Sequence, residues 1–121
     1  MDPIYKANWI KPATNYGDVC PVFKKEFKLD KKVLNAKLYI TALGVYEAKL
    51  NGKRVGDYVL APGWTSYKKR LQYQEYDITG MLDADNKIEV TTGKGWCLGR
   101  LMWEGAENFW FDKSNPYKIF Y

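Results

Sequence analysis

The chain has 121 residues, enough for one domain with one core, and 46% of them are hydrophobic, which excludes a disordered or collagen-like protein. It contains no histidine, so a histidine-based catalytic triad and a zinc site with histidine ligands are both excluded. The net charge is +5, but the basic residues are mostly lysines scattered in pairs, which indicates a solvated surface rather than a nucleic-acid interface.

Neither a membrane partner nor a compartment is indicated by the sequence. No stretch approaches the ~18 apolar residues of a membrane helix. Residues 1–10 lack the apolar core of an export signal, and the location of the protein stays open. Cys20 and Cys97 have no neighbouring cysteine, so we expect free, buried thiols, with one disulfide bridge as the alternative.

Apolar and polar residues alternate along most of the chain, which is the period of a β-strand that is buried on one side. No window of 11 or more residues shows a helical period. Short strands with turn residues between them are typical of a sandwich or a barrel. The predicted strands are residues 23–29, 36–42, 46–50, 71–76 and 88–92.

Four features between these strands are assigned structural roles. Asn51-Gly52 predicts a tight hairpin, because both central residues of that turn need a positive φ. Asp77 is predicted to cap one helical turn, and Asp85-Asn86 to form a hairpin turn. Trp64 follows a Pro-Gly turn, and we expect its ring to pack this loop onto the core.

Several segments, in this order, resemble the N-terminal β-sandwich domain of bacterial α-L-rhamnosidases. They are AKLYITALGVYEAKLNGKRVG at 36–56, LAPGWTSY at 60–67, RLQYQEYDIT at 70–79, and GW at 95–96 with GRL at 99–101. Together they span most of residues 20–103. The resemblance implies an antiparallel β-sandwich of jelly-roll type.

The same resemblance implies a role inside a larger enzyme. Residues 1–121 would be one accessory domain, a piece of a multidomain chain whose catalytic domain of paired helices follows it. Inverting hydrolysis of α-L-rhamnosides needs a pair of carboxyl groups, which the family carries in that helical domain. This domain is therefore expected to be non-catalytic. Some relatives bind rhamnose with calcium, so a rhamnose-containing glycan and a calcium ion are possible ligands.

A carbohydrate site is predicted at the glycine-rich loop that begins at residue 93. Trp96 and Trp103 would offer faces for a sugar ring, and Arg100 and Glu104 would bond to hydroxyl groups. In the alternative interpretation these aromatic residues fill the end of the sandwich or contact a neighbouring domain. The carboxylates of residues 83–86 are interpreted as a turn and not as a calcium loop.

Residues 117–121 form a strand-like apolar run without a closing turn. An uncovered apolar edge seeks a partner strand, so we expect a homodimer through this edge, with fraying as the alternative. Two other functions compete with the accessory domain. The first is single-stranded nucleic-acid binding, which the scarcity of arginine disfavours. The second is a free-standing enzyme, which the absence of histidine and of a carboxylate pair disfavours.

Overall fold

Six antiparallel strands in two sheets make up the structure, a computed structural model that describes residues 2–14, 17, 19–67 and 69–99. One sheet has the strand order β1-β6-β3-β4 and the other pairs β2 with β5. The strands are β1 (Val22–Lys28), β2 (Lys37–Ile40), β3 (Val45–Leu50), β4 (Lys53–Arg54), β5 (Gln74–Asp77) and β6 (Asp85–Gly93).

Helix is confined to single turns in this part of the chain. Two are 3-10 turns, at Pro3–Lys6 and Thr79–Met81, and one is an α-helical turn, α1, at Gly95–Leu98. Within the described residues, no helix is long and apolar enough to cross a membrane. The all-β antiparallel sandwich predicted from the alternation is therefore confirmed. The predicted strand at 117–121, and the association through it, lie outside the described residues.

The core lies between the two sheets and centres on β3. Tyr46, Ala48 and Leu50 are buried on one face of this strand, and the residues between them are exposed. Leu38 and Ile40 of the smaller sheet pack against this cluster from the other side. The period-2 burial follows directly from the alternation in the sequence, since successive side chains of a strand point to opposite faces.

The hairpin between β3 and β4 forms where the sequence predicts it. Asn51 has φ +52° and Gly52 has φ +80°, the pair of positive values that a two-residue turn of this kind requires. The register follows, with Leu50 opposite Lys53.

Asn51 also makes side-chain bonds that join three parts of the fold. Its Nδ2 donates to the carbonyl oxygen of Met81 at 3.0 Å and to Oδ1 of Asn86 at 2.9 Å. Its Oδ1 accepts from the backbone N–H of Lys87 at 2.9 Å. One residue therefore ties the hairpin to the second 3-10 turn and to the start of β6.

The predicted turn at Asp85-Asn86 is wrong, because both residues belong to β6. The turn comes just before them, and the buried side chain of Asn86 closes it. Asn86 Oδ1 accepts from the N–H of Asp83 at 2.8 Å, and its Nδ2 donates to the carbonyl of Asp83 at 2.7 Å. The side chain of Asn86 therefore makes bonds to the nearby backbone that are typical of turn residues, although the backbone of Asn86 itself lies in the strand.

Two further boundaries refine the predictions. β5 begins at Gln74, three residues later than the alternation starts at Leu71. Asp77 is not the N-cap residue of the 3-10 turn, because that position is taken by Ile78. The side chain of Asp77 nevertheless bonds to the start of the turn, since Oδ1 of Asp77 accepts from the N–H of Thr79 at 2.9 Å.

We predict that Asn51→Ala lowers the free energy of unfolding by about 2–3 kcal/mol, because it removes several side-chain hydrogen bonds and places alanine at a left-handed φ. Asn51→Gly keeps the turn conformation and should cost less. Urea denaturation measures both, with Lys53→Ala as an exposed control in the same hairpin. A loss for Asn51→Ala no larger than that of Lys53→Ala would contradict the role of this side chain.

Candidate functional site

Of the four residues predicted to bind carbohydrate, the structure describes Trp96. It lies in α1, the turn that follows β6. Arg100, Trp103 and Glu104 lie outside the described residues.

The backbone before Trp96 requires glycine. Gly95 has φ +52°, and a Cβ at this position would lie 2.8 Å from Cγ1 of Val45 and 3.0 Å from the carbonyl carbon of Gly44. The turn is therefore packed directly against the start of β3. It closes through a bond from the N–H of Gly99 to the carbonyl of Gly95 at 2.9 Å. This close approach fixes the position of Trp96 relative to the larger sheet.

The ring of Trp96 is stacked on the ring of Trp64. The two ring planes are 3° from parallel and their centroids are 6.1 Å apart, which is an offset stack. Trp64 is 62% exposed, so much of its surface faces solvent. The stack joins the loop before β5 to the turn after β6 and forms an aromatic surface, defined here as Trp64 and Trp96.

The prediction that Trp64 packs its loop onto the core is wrong. The interior position in this loop is taken by the two residues before the glycine, Ala61 and Pro62, both of which are fully buried. Gly63, with φ +100°, then turns the chain outward. The ring of Trp64 is therefore left at the surface, where Trp96 is its partner.

Buried polar groups hold the loop that carries Trp64. The N–H of Tyr46 donates to the carbonyl of Ala61 at 2.7 Å, and Nε2 of Gln74 donates to the carbonyl of Pro62 at 3.2 Å. The hydroxyl of Tyr46 donates to Oε1 of Gln74 at 2.7 Å. Burial raises the pKa of Tyr46, so this hydroxyl stays protonated and keeps its role as donor.

Several carboxylates of the described strands form ion pairs with lysines. Lys37 pairs with Glu75, and this hydrogen bond holds the pKa of Glu75 below its usual value. Glu89 pairs with Lys24 and Lys87, each at 3.2 Å, and its pKa is lowered by the same kind of bond. A general acid needs the opposite, a carboxyl whose pKa is raised so that it holds a proton.

A calcium ion does not fit the described carboxylates. No group of three or more acidic or cysteine side chains comes together in the part of the chain that the structure describes. In the acidic segment 83–86, Oδ1 of Asn86 already accepts two hydrogen bonds, and Asp85 pairs with Lys28 at 3.5 Å. These oxygens cannot supply the six to eight ligands that calcium takes.

The two cysteines differ in their surroundings. No disulfide joins them, as expected, but Cys20 is exposed and only Cys97 is buried. Cys97 has no exposed surface, and burial raises the pKa of its thiol to about 11.

The two antiparallel sheets define the chain as a β-sandwich domain, and comparison with known proteins identifies its family. Residues 31–119 match the family model of the α-L-rhamnosidase N-terminal domain. The chain is similar to an α-L-rhamnosidase of Formosa agariphila, with 43% identity over 93% of this chain and 13% of that protein. It is also similar to one of Streptomyces avermitilis, with 45% identity over 78% of this chain and 10% of that protein.

Solved structures agree. A native α-L-rhamnosidase from Aspergillus terreus matches with a TM-score of 0.73 and 46% identity, over 83% of this chain and 12% of that one. The Streptomyces avermitilis enzyme, solved in complex with L-rhamnose, matches with a TM-score of 0.66 and 49% identity, over 69% of this chain and 8% of that one. The chain belongs to the α-L-rhamnosidase N-terminal domain family, and it spans about an eighth or less of these relatives.

We predict that a thiol reagent at pH 8 labels Cys20 and leaves Cys97 unmodified in the folded protein. With a pKa of about 11, only about one Cys97 thiol in a thousand is ionised at that pH, and burial blocks the reagent further. Mass spectrometry of the labelled peptides measures both sites, and denaturation should make them equal. Labelling of Cys97 at the rate of Cys20 under native conditions would show that the turn α1 opens readily.

Proposed function

We propose that this domain is a non-catalytic accessory domain of an α-L-rhamnosidase, and that its aromatic surface contacts carbohydrate. The parent enzyme would hydrolyse terminal α-L-rhamnosides with inversion, using a catalytic domain elsewhere in the same chain. The family and the short span of each relative that the chain covers support the first part. The stack of Trp64 and Trp96 carries the second.

The state of the carboxyl groups supports a non-catalytic role. Inversion needs two carboxyl groups ~6.5–9.5 Å apart, one of them protonated and the other free to activate water. Glu75 and Glu89 are paired with lysines and have lowered pKa values. Glu47 is paired with Arg54 at 3.6 Å and Lys49 at 3.9 Å. Glu75 and Glu89 are therefore not suited to donate a proton to a leaving oxygen, and Glu47 is held by two cations.

The geometry of the aromatic surface supports sugar contact. A sugar ring has an apolar C–H face that is buried well against a flat aromatic ring. Trp64 is more than half exposed, and Trp96 supports it from behind in a parallel stack. The loop that holds Trp64 is bonded to Tyr46 and Gln74 in the interior, so little ordering is needed when a ligand binds.

We predict that the purified chain does not hydrolyse an aryl α-L-rhamnoside. The expected turnover is that of the buffer, because the proton donor for the leaving oxygen is assigned to another domain. A full-length relative, such as the Streptomyces avermitilis enzyme, is the positive control. Turnover that stays with the chain through further purification would contradict the non-catalytic assignment.

We also predict that the chain binds L-rhamnose weakly through Trp64. Trp64→Ala should weaken the affinity about tenfold, since an aromatic contact contributes ~0.5–1.5 kcal/mol beyond the area that it buries. Trp9→Ala is the matched control, because Trp9 is 48% exposed and lies far from this stack in the sequence.

Calorimetry or an NMR titration measures the affinity, with and without added calcium. Unchanged affinity in both Trp64→Ala and Trp96→Ala would exclude the aromatic surface as the binding site. Equal losses in Trp64→Ala and Trp9→Ala would show a general effect of tryptophan removal.

A further inference from the structure

A concave surface is formed mainly by residues that follow the loop that carries Trp64. It is an open groove of about 510 Å³ along the residues that lead into and form β5. Its volume falls in the ~300–1,000 Å³ range of small-molecule sites. We call it the tyrosine groove, because Tyr58, Tyr73 and Tyr76 line it. Arg70, Gln72 and Gln74 also belong to the lining.

Hydrogen bonds from side chains to backbone carbonyls hold the walls of the groove. Arg54 donates from Nη2 to the carbonyl of Tyr58 at 2.6 Å. Thr65 donates from Oγ1 to the carbonyl of Arg70, and Thr41 donates from Oγ1 to the carbonyl of Gln72 at 2.6 Å. Each wall is therefore bonded to a different part of the fold, and the groove exists before any ligand arrives.

The floor is fixed by close packing. The ring of Tyr76 lies so near Gly56 that a Cβ there would come within 2.3 Å of Cε1 of the ring. The hydroxyl of Tyr76 lies 3.3 Å from the hydroxyl of Tyr46 in the interior. Tyr58 is 56% exposed and Tyr73 is 36% exposed, so the sides of the groove offer aromatic surface to a ligand.

Arg70 supplies the charge of this groove. Its side chain is exposed, and it forms no ion pair with any carboxylate of the described residues. The one carboxylate in the lining, Glu75, is neutralised by Lys37, and at the Tyr73 side of the groove Oδ2 of Asp2 accepts from the hydroxyl of Tyr73 at 3.0 Å. An arginine fork with no carboxylate partner among the described residues, set in a concave site, is suited to a planar carboxylate that it can bind with two parallel hydrogen bonds.

We propose that the tyrosine groove binds a sugar that carries a carboxylate, with Arg70 on the carboxylate and the exposed tyrosines against the ring. The amide of Gln72 would bond to hydroxyl groups of the same sugar. The proposal goes beyond the accessory function above, because the groove shares no residue with the aromatic surface. Either site can fail without the other.

An NMR titration of the whole chain tests the groove with three probes. Galacturonate has both the ring and the carboxylate, galactose has the ring alone, and acetate has the carboxylate alone. Galacturonate should shift the amide signals of residues 70–76 and bind about tenfold more tightly than galactose, as expected for a charged hydrogen-bonding pair. Acetate should bind at least as weakly as galactose.

Variants assign the contact to named side chains. Arg70→Gln should remove the preference for galacturonate over galactose, whereas Arg70→Lys should keep part of it. Lys53→Gln removes the same charge from an exposed site in the hairpin and should keep the whole preference. Tyr58→Ala should weaken both sugars, with Tyr5→Ala as its control, since Tyr5 is a still more exposed tyrosine outside the groove.

Three results would overturn the proposal. They are equal binding of galacturonate and galactose, equal binding of galacturonate and acetate, and an unchanged preference in Arg70→Gln. L-rhamnose binding by Trp64 is measured with a different ligand and different variants. Failure of the groove proposal can therefore be distinguished from failure of the proposed function.

Discussion

One buried hydrogen bond, from the hydroxyl of Tyr46 to Oε1 of Gln74, joins the two sheets of this domain. Tyr46 belongs to β3 of the larger sheet, and Gln74 is the first residue of β5 in the smaller one. Both side chains are more than nine-tenths buried, so a missing partner would leave a polar atom without water. This bond ties the two sheets together inside the core, and the Ala61–Pro62 turn is bonded to the same two residues.

Both proposed binding surfaces depend on that arrangement. Trp64 leaves the turn immediately after Pro62 and Gly63, so its position follows from the bonds to Tyr46 and Gln74. Gln74 is also part of the lining of the tyrosine groove. A rigid interior thus presents two surfaces of different chemistry, one aromatic and one that combines tyrosines with a cation. Such a division suits the accessory role proposed above.

The sequence predicts those features that depend on neighbouring residues. The alternation gives the strands, and Asn51 with Gly52 gives the hairpin, because a positive φ is a local requirement. The sequence does not predict the features that depend on distant partners. Asn86 looks like a turn residue until its bond to Asn51 is known, and the alternation does not indicate that the polar side chain of Gln74 is buried in the core. The Pro-Gly turn before Trp64 predicts a ring packed on the core, but its partner, Trp96, follows 32 positions later and only the fold brings the two rings together.

A double-mutant cycle on Tyr46 and Gln74 tests the central claim most directly. The free energies of unfolding would be measured in urea for Tyr46→Phe, Gln74→Leu and the double variant. Tyr46→Phe leaves Oε1 of Gln74 without its donor, and Gln74→Leu leaves the hydroxyl of Tyr46 with only the longer contact to Tyr76, so we expect the double variant to lose less than the sum of the two, with a coupling of about 1 kcal/mol or more. Losses that add to within about 0.3 kcal/mol would contradict the claim that this bond holds the sheets and the loop of Trp64 together.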